Sequence, residues 1–87
     1  MSDAYVVRFT ADWCQPCKQF APVYDEVAEQ HEVEFRVVNV EEEPETAADF
    51  GVMSIPKVFY VDGDTRKAVP VVPNTNKFNQ LLTAIMG

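Results

Sequence analysis

The sequence predicts an α/β fold: a four-stranded mixed sheet with helices on both faces, in the order βαβ, short helix, ββα. Three observations carry this expectation. A β-branched run, a helical stretch and a second β-branched run follow one another in the first 40 residues. An Asp62-Gly63 turn separates two later β-rich runs. An apolar stripe at helical spacing closes the chain.

The first strand is expected over residues 4–10 (AYVVRFT). It is apolar almost throughout, as in a strand covered on both faces, with Arg8 as the exception. A helix over residues 14–31 follows, because Phe20, Val23, Tyr24, Val27, Ala28 and His31 recur at three- and four-residue spacing. Pro16 falls where a first-turn proline is tolerated, whereas Pro22 lies inside the pattern and predicts a kink. Residues 33–40 (VEFRVVNV) read as the second strand. A strand, a long helix and another strand imply parallel pairing through a right-handed crossover. Residues 44–50 form a short helix closed by Gly51. Residues 56–61 and 64–72 are the third and fourth strands, paired antiparallel about Asp62-Gly63. Asn74 or Thr75 caps a last helix running to residue 86, with Phe78, Leu81, Leu82 and Ile85 as its apolar face.

Size and charge narrow the function classes. With 87 residues, the chain is enough for one domain, residues 1–87. Its 14 acidic and 7 basic residues give a net charge of −7. That balance argues against nucleic acid and against an anionic membrane surface, since both require a basic face. Met1-Ser2-Asp3-Ala4 shows no basic segment followed by a long apolar run, and no stretch is long enough to span a bilayer. The expectation is a cytoplasmic monomer.

The chemistry lies in Trp13-Cys14-Gln15-Pro16-Cys17. The only two cysteines are three positions apart, so a disulfide between them closes too short a loop to stabilise much. At a strand-to-helix junction, unpaired backbone N–H groups and the helix dipole favour negative charge on the first sulfur. The thiolate of Cys14 is thereby favoured near neutral pH. Cys17, one turn on, is placed to attack a mixed disulfide formed at Cys14. The competing use is metal ligation. A structural zinc site usually takes four ligands, and this chain offers two cysteines and one histidine, His31. No metal is expected. His31 at the end of the first helix is assigned to its dipole.

The chain resembles the thioredoxin family. The matching residues are Phe9-Thr10-Ala11-Asp12-Trp13-Cys14-Gln15-Pro16-Cys17-Lys18, Ala21-Pro22, Asn39-Val40-Glu41, Phe50-Gly51-Val52-Met53-Ser54-Ile55-Pro56 and Asp62-Gly63. The resemblance implies a minimal thioredoxin-like fold and protein-disulfide reductase activity. It makes Cys14 the nucleophile and Cys17 the resolving thiol. Trp13 would shield the sulfurs and belong to the docking surface with Gln15 and Pro16. Pro56 would be a cis-proline facing the cysteines, and Ile55 would offer its backbone to substrate. For Trp13 the alternative is a core aromatic. The resemblance further implies no bound cofactor beyond a redox-active Cys14–Cys17 disulfide. Disulfide-containing protein substrates and an NADPH-dependent flavoprotein reductase (a thioredoxin reductase) would be its partners. Two other readings stay open: a glutaredoxin-like electron donor, and a redox-inert interaction subunit of a larger complex.

The chain also departs from the family. The family's extra leading strand and helix are not matched here. Arg8 stands where the family has a buried Asp, and Val37 where it has a Lys, so that acid–base pair is missing. Val71 stands near the position of a family Gly. A charge in a central strand must pair, snorkel or reach solvent. Arg8 is therefore expected either to approach Glu41, Glu42, Glu43 or the Cys17 region, or to lie exposed at a flank. Lys57 would favour the Cys14 thiolate if near it, and otherwise be a solvated strand-edge lysine. The glutamates are a solvated loop or a barrier to acidic partners.

Overall fold

The computed structural model describes residues 3–87. The reading made on Met1 and Ser2 lies outside them. In chain order the elements are β1 (Tyr5–Thr10), α1 (Gln15–Ala28), β2 (Glu34–Asn39), α2 (Pro44–Asp49), β3 (Lys57–Asp62), β4 (Thr65–Val69) and α3 (Thr75–Met86). They build one four-stranded sheet in the order β2-β1-β3-β4. β1 and β2 run parallel, with Tyr5 opposite Glu34 and Thr10 opposite Asn39. β3 pairs antiparallel with β1, setting Lys57 opposite Phe9, and antiparallel with β4. The start of β3 therefore lies beside the end of β1, which brings Pro56 to the cysteine end of the sheet.

The element boundaries have local causes. α1 is expected from Cys14, but Cys14 is its extended N-cap and helical geometry begins at Gln15. Its end comes at Ala28 rather than near His31. There the bonds tighten: the Gln30 N–H donates to the Val27 carbonyl at 2.9 Å and the His31 N–H to Ala28 at 3.3 Å. Pro22 stays within α1. α2 closes as a Schellman motif, with the Val52 N–H on the Ala47 carbonyl and the Gly51 N–H on Ala48, both at 3.0 Å. That motif needs a left-handed residue, and Gly51 supplies φ +65°. Gly63 does the same at φ +61° in the two-residue turn between β3 and β4. β4 stops at Val69 instead of reaching Val72, because Pro70 and Pro73 have no N–H to donate to a ladder. Asn74 caps α3, its Oδ1 accepting the Lys77 N–H at 2.9 Å.

β1 is the buried spine, and its side chains alternate between two cores. Val6 joins Phe20, Tyr24, Val27, Val58, Tyr60, Val69, Phe78 and Leu82 beneath α1 and α3. Val7 and Phe9 join Val38, Ala47 and Val61 beneath α2.

Candidate active site

Between β1 and α1 the chain makes a tight turn in which the Cys14 N–H donates to the Ala11 carbonyl at 3.1 Å. Ala11 is buried within the turn, whereas Asp12 and Trp13 face solvent. Cys14 and Cys17 form a disulfide, their Cα atoms 5.2 Å apart. The Cys17 N–H donates to Cys14 Sγ at 3.2 Å, so this sulfur occupies the place of an N-cap acceptor. Both cysteines are buried, with Cys14 4% exposed, while Gln15 and Pro16 between them are exposed. Ala11, Val40 and Ile55 surround the sulfurs with apolar surface.

The Ile55–Pro56 bond is cis. Ile55 packs on the cysteine cluster, and Pro56 and Pro16 line one cleft of about 340 Å³ with Gln19, Phe20, Val71 and Pro73. A second cleft of about 290 Å³ runs from Trp13 over Val40, Val52, Met53, Ser54 and Ile55 to Ala47. Trp13 is 65% exposed and Met53 97% exposed. Trp13 is thus a surface aromatic and not a core one.

Asn39, next to Val40 of this second cleft, fastens the two loops that flank it, a role that the sequence reading missed. Its Oδ1 accepts the Glu41 N–H at 2.9 Å and the Glu42 N–H at 3.3 Å. Its Nδ2 donates to Asp12 Oδ1 at 3.3 Å, tying the acidic loop to the cysteine turn. An Asn at a strand end ahead of an acidic run is an Asx-turn signal, and it could have been read.

The structure narrows the expectation for Arg8, places Lys57 and moves His31 off the helix dipole. Arg8 is buried, not exposed at a flank, and it makes no ion pair with Glu41, Glu42 or Glu43 among the described residues. The cause is strand alternation: Arg8 points to the α1 side, while those glutamates leave the sheet beyond Asn39. Lys57 turns its ammonium over the Phe59 ring, 5.7 Å from the centroid. His31 lies past the last helical turn, its Nε2 2.7 Å from Asn79 Oδ1. There it pins the end of α1 to α3. Among the described residues no group of three or more His, Cys, Asp or Glu is placed to hold a metal ion. Nor, among the described residues, is any helix long and apolar enough to cross a membrane.

The family model for thioredoxin matches residues 1–85. The chain belongs to the thioredoxin family. A thioredoxin of Synechocystis sp. is 42% identical over 74 residues, which cover 80% of this chain and 69% of that protein. Thioredoxin 1 of Synechococcus elongatus is 40% identical over 80 residues, covering 87% and 75%. Among solved structures, oxidised thioredoxin from Plasmodium falciparum superposes with a TM-score of 0.82 at 25% identity, covering 99% of this chain and 84% of that one. Family membership together with the bonded cysteine pair makes this thioredoxin-family chain a thiol–disulfide oxidoreductase, a reductase of protein disulfides with a redox-active disulfide of its own.

Proposed function

We propose that Cys14 is the attacking sulfur and Cys17 the resolving one, in a cytoplasmic, monomeric reductase whose domain is residues 1–87. The observation that carries this is the Cys17 N–H aimed at Cys14 Sγ at 3.2 Å from the first turn of α1. A donor and a helix N-terminus at one sulfur stabilise it as a thiolate once the disulfide is opened. In the reduced protein, Cys14 attacks one sulfur of a substrate disulfide, and the other leaves as a thiolate that takes a proton from water. Cys17 then loses its proton and attacks Cys14 Sγ. The Cys14–Cys17 bond closes, the second substrate sulfur departs, and two electrons have passed to the substrate.

Trp13, Gln15, Pro16, Ile55 and Pro56 form the docking surface on this reading, with the apolar cleft beside Trp13 holding a side chain next to the target cystine. Asp12, Glu41 and Glu42, close in the chain to Trp13 and Val40, favour neutral or basic segments. An NADPH-dependent flavoprotein reductase returns the electrons. The test is insulin reduction coupled to such a reductase. Cys14→Ser is expected to abolish turnover, and Cys17→Ser to accumulate a mixed disulfide visible by mass spectrometry. Turnover that survives Cys14→Ser would defeat the assignment. Turnover supported by glutathione alone would move the protein to the glutaredoxin-like reading. Raised salt is expected to speed attack on acidic substrates.

A further inference from the structure

Arg8 is the one charged side chain buried among the described residues, 8% exposed. Its Nε has no hydrogen-bond partner. The described ion pairs, Arg36–Glu34 and Arg66–Asp49, do not involve it. Its guanidinium lies 5.3 Å from the centre of the Tyr24 ring, and the Tyr24 hydroxyl is held by the Val6 and Arg36 carbonyls at 3.2 and 2.7 Å. Across the sheet Arg8 is opposite Val37 of β2 and Val58 of β3, and the same face carries Val6, Phe35 and Tyr60. None is a carboxylate. A buried cation without a counter-ion is costly, and here the cost is borne in the state whose sulfurs form a neutral disulfide.

Reduction changes that balance. α1 returns antiparallel to β1, and its buried stripe runs Tyr24, Phe20, Cys17 along the same face that carries Val6 and Arg8. Seven residues of helix place Cys17 roughly 10 Å along the axis from Tyr24, and the Cys14 sulfur is bonded to that of Cys17. Apolar side chains surround the sulfurs, so an anion formed there meets little competing charge. The Arg8 guanidinium lies beside the Tyr24 ring, and at an effective dielectric constant near 20 unit charges separated on that scale shift an equilibrium by about a factor of ten.

We propose that Arg8 supplies the counter-charge for the cysteine thiolate formed on reduction, so that the chain gives up electrons less readily than it would with a neutral residue at this position. The inference rests on the thiol-exchange reading above. Against glutathione the step is: disulfide plus two glutathione thiols gives one cysteine thiolate, one cysteine thiol, glutathione disulfide and one proton. Arg8 touches no reacting atom in it and acts as a positioning residue through the field it holds under α1.

The test is equilibration of wild type, Arg8→Leu, Arg8→Met and Arg8→Lys with glutathione redox buffers at pH 7, quantifying the oxidised fraction by thiol alkylation. Thiolate absorbance is followed against pH in parallel. Arg8→Leu is expected to shift the equilibrium toward the disulfide by about tenfold, with thiolate absorbance appearing at higher pH. Arg8→Lys is expected to restore most of both. Arg8→Met, which keeps the stem volume, serves if the leucine variant does not fold. An unchanged equilibrium constant in a folded neutral variant overturns the proposal, as does an equal shift in Arg8→Lys and Arg8→Met. A wild-type protein that exchanges with no disulfide would instead overturn the thiol-exchange reading.

Discussion

The two faces of the sheet are closed by different means. On one, α1 and α3 lay down 14 and 12 residues and bury Phe20, Tyr24 and Phe78 almost completely. The Phe20 and Phe78 rings meet edge to face with centroids 4.9 Å apart, a favoured aromatic geometry. On the other face the single helix α2 has six residues and buries only Ala47. Phe50 and Phe59 pack there against Phe9 and stay part-exposed. Arginines cover what the helix does not. The Arg66 guanidinium lies 3.8 Å from the Phe50 ring centre and pairs with Asp49 at 2.7 Å. Arg36 lies 3.7 Å from the Tyr5 ring centre and pairs with Glu34 at 2.8 Å. A small domain short of helix can thus cover aromatic surface with the stems and cations of long side chains, at the cost of leaving it partly wet. On burial alone, the helix-covered face is expected to carry more of the stability than the arginine-covered face.

That contrast can be broken by mutation. Phe78→Ala empties the centre of the helix-covered core and is expected to cost about 3–5 kcal/mol, a large share of the ~5–15 kcal/mol available to such a domain. Denaturant unfolding of the oxidised protein measures it. A loss no larger than that of Phe50→Ala, expected at about 2 kcal/mol for a part-exposed ring, would erase the distinction between the faces. Tyr24→Phe removes a hydroxyl bonded to two carbonyls and is expected to cost about 1–3 kcal/mol near neutral pH. Burial also pushes the Tyr24 hydroxyl well above its ordinary range. Its folded value exceeds its unfolded one, so this contribution is complete below pH ~10 and is lost as pH rises further. The stability gap between Tyr24→Phe and wild type is therefore expected to narrow above pH ~10, and a gap constant to pH 11 would count against that environment. The smallest effects belong to the arginine lids. Arg66→Ala and Arg36→Ala are each expected to cost about 0.5–1 kcal/mol, partly screened by salt because both pairs are exposed. A loss above 2 kcal/mol from either would mean that these cations support the second core as a helix would.

The site divides along similar lines. Cys14, Cys17, the turn before them and the helix after them are contiguous, and short-range rules place them: an N-cap position, a first-turn proline, an apolar stripe three and four residues apart. The pairings of β1 with β2 and of β3 with β4 were likewise legible, from a crossover helix and from Asp62-Gly63. The strand ends were less so, since Pro70 stops β4 through a missing donor while Val71 and Val72 still look like strand.

What lay beyond local pattern was every contact between distant segments. Pairing of β1 with β3 brings Ile55 onto the cysteines across some forty residues. Asn39 fastens Asp12 across 27 positions. Arg8 is an ordinary letter in a β-run until alternation turns it under α1, and no local rule tells whether a carboxylate will meet it there. Periodicity and capping act over a few residues, so the chain's own order shows them. Charge compensation and packing depend on which surfaces meet, and that is settled only when the sheet has formed and the helices have closed over it.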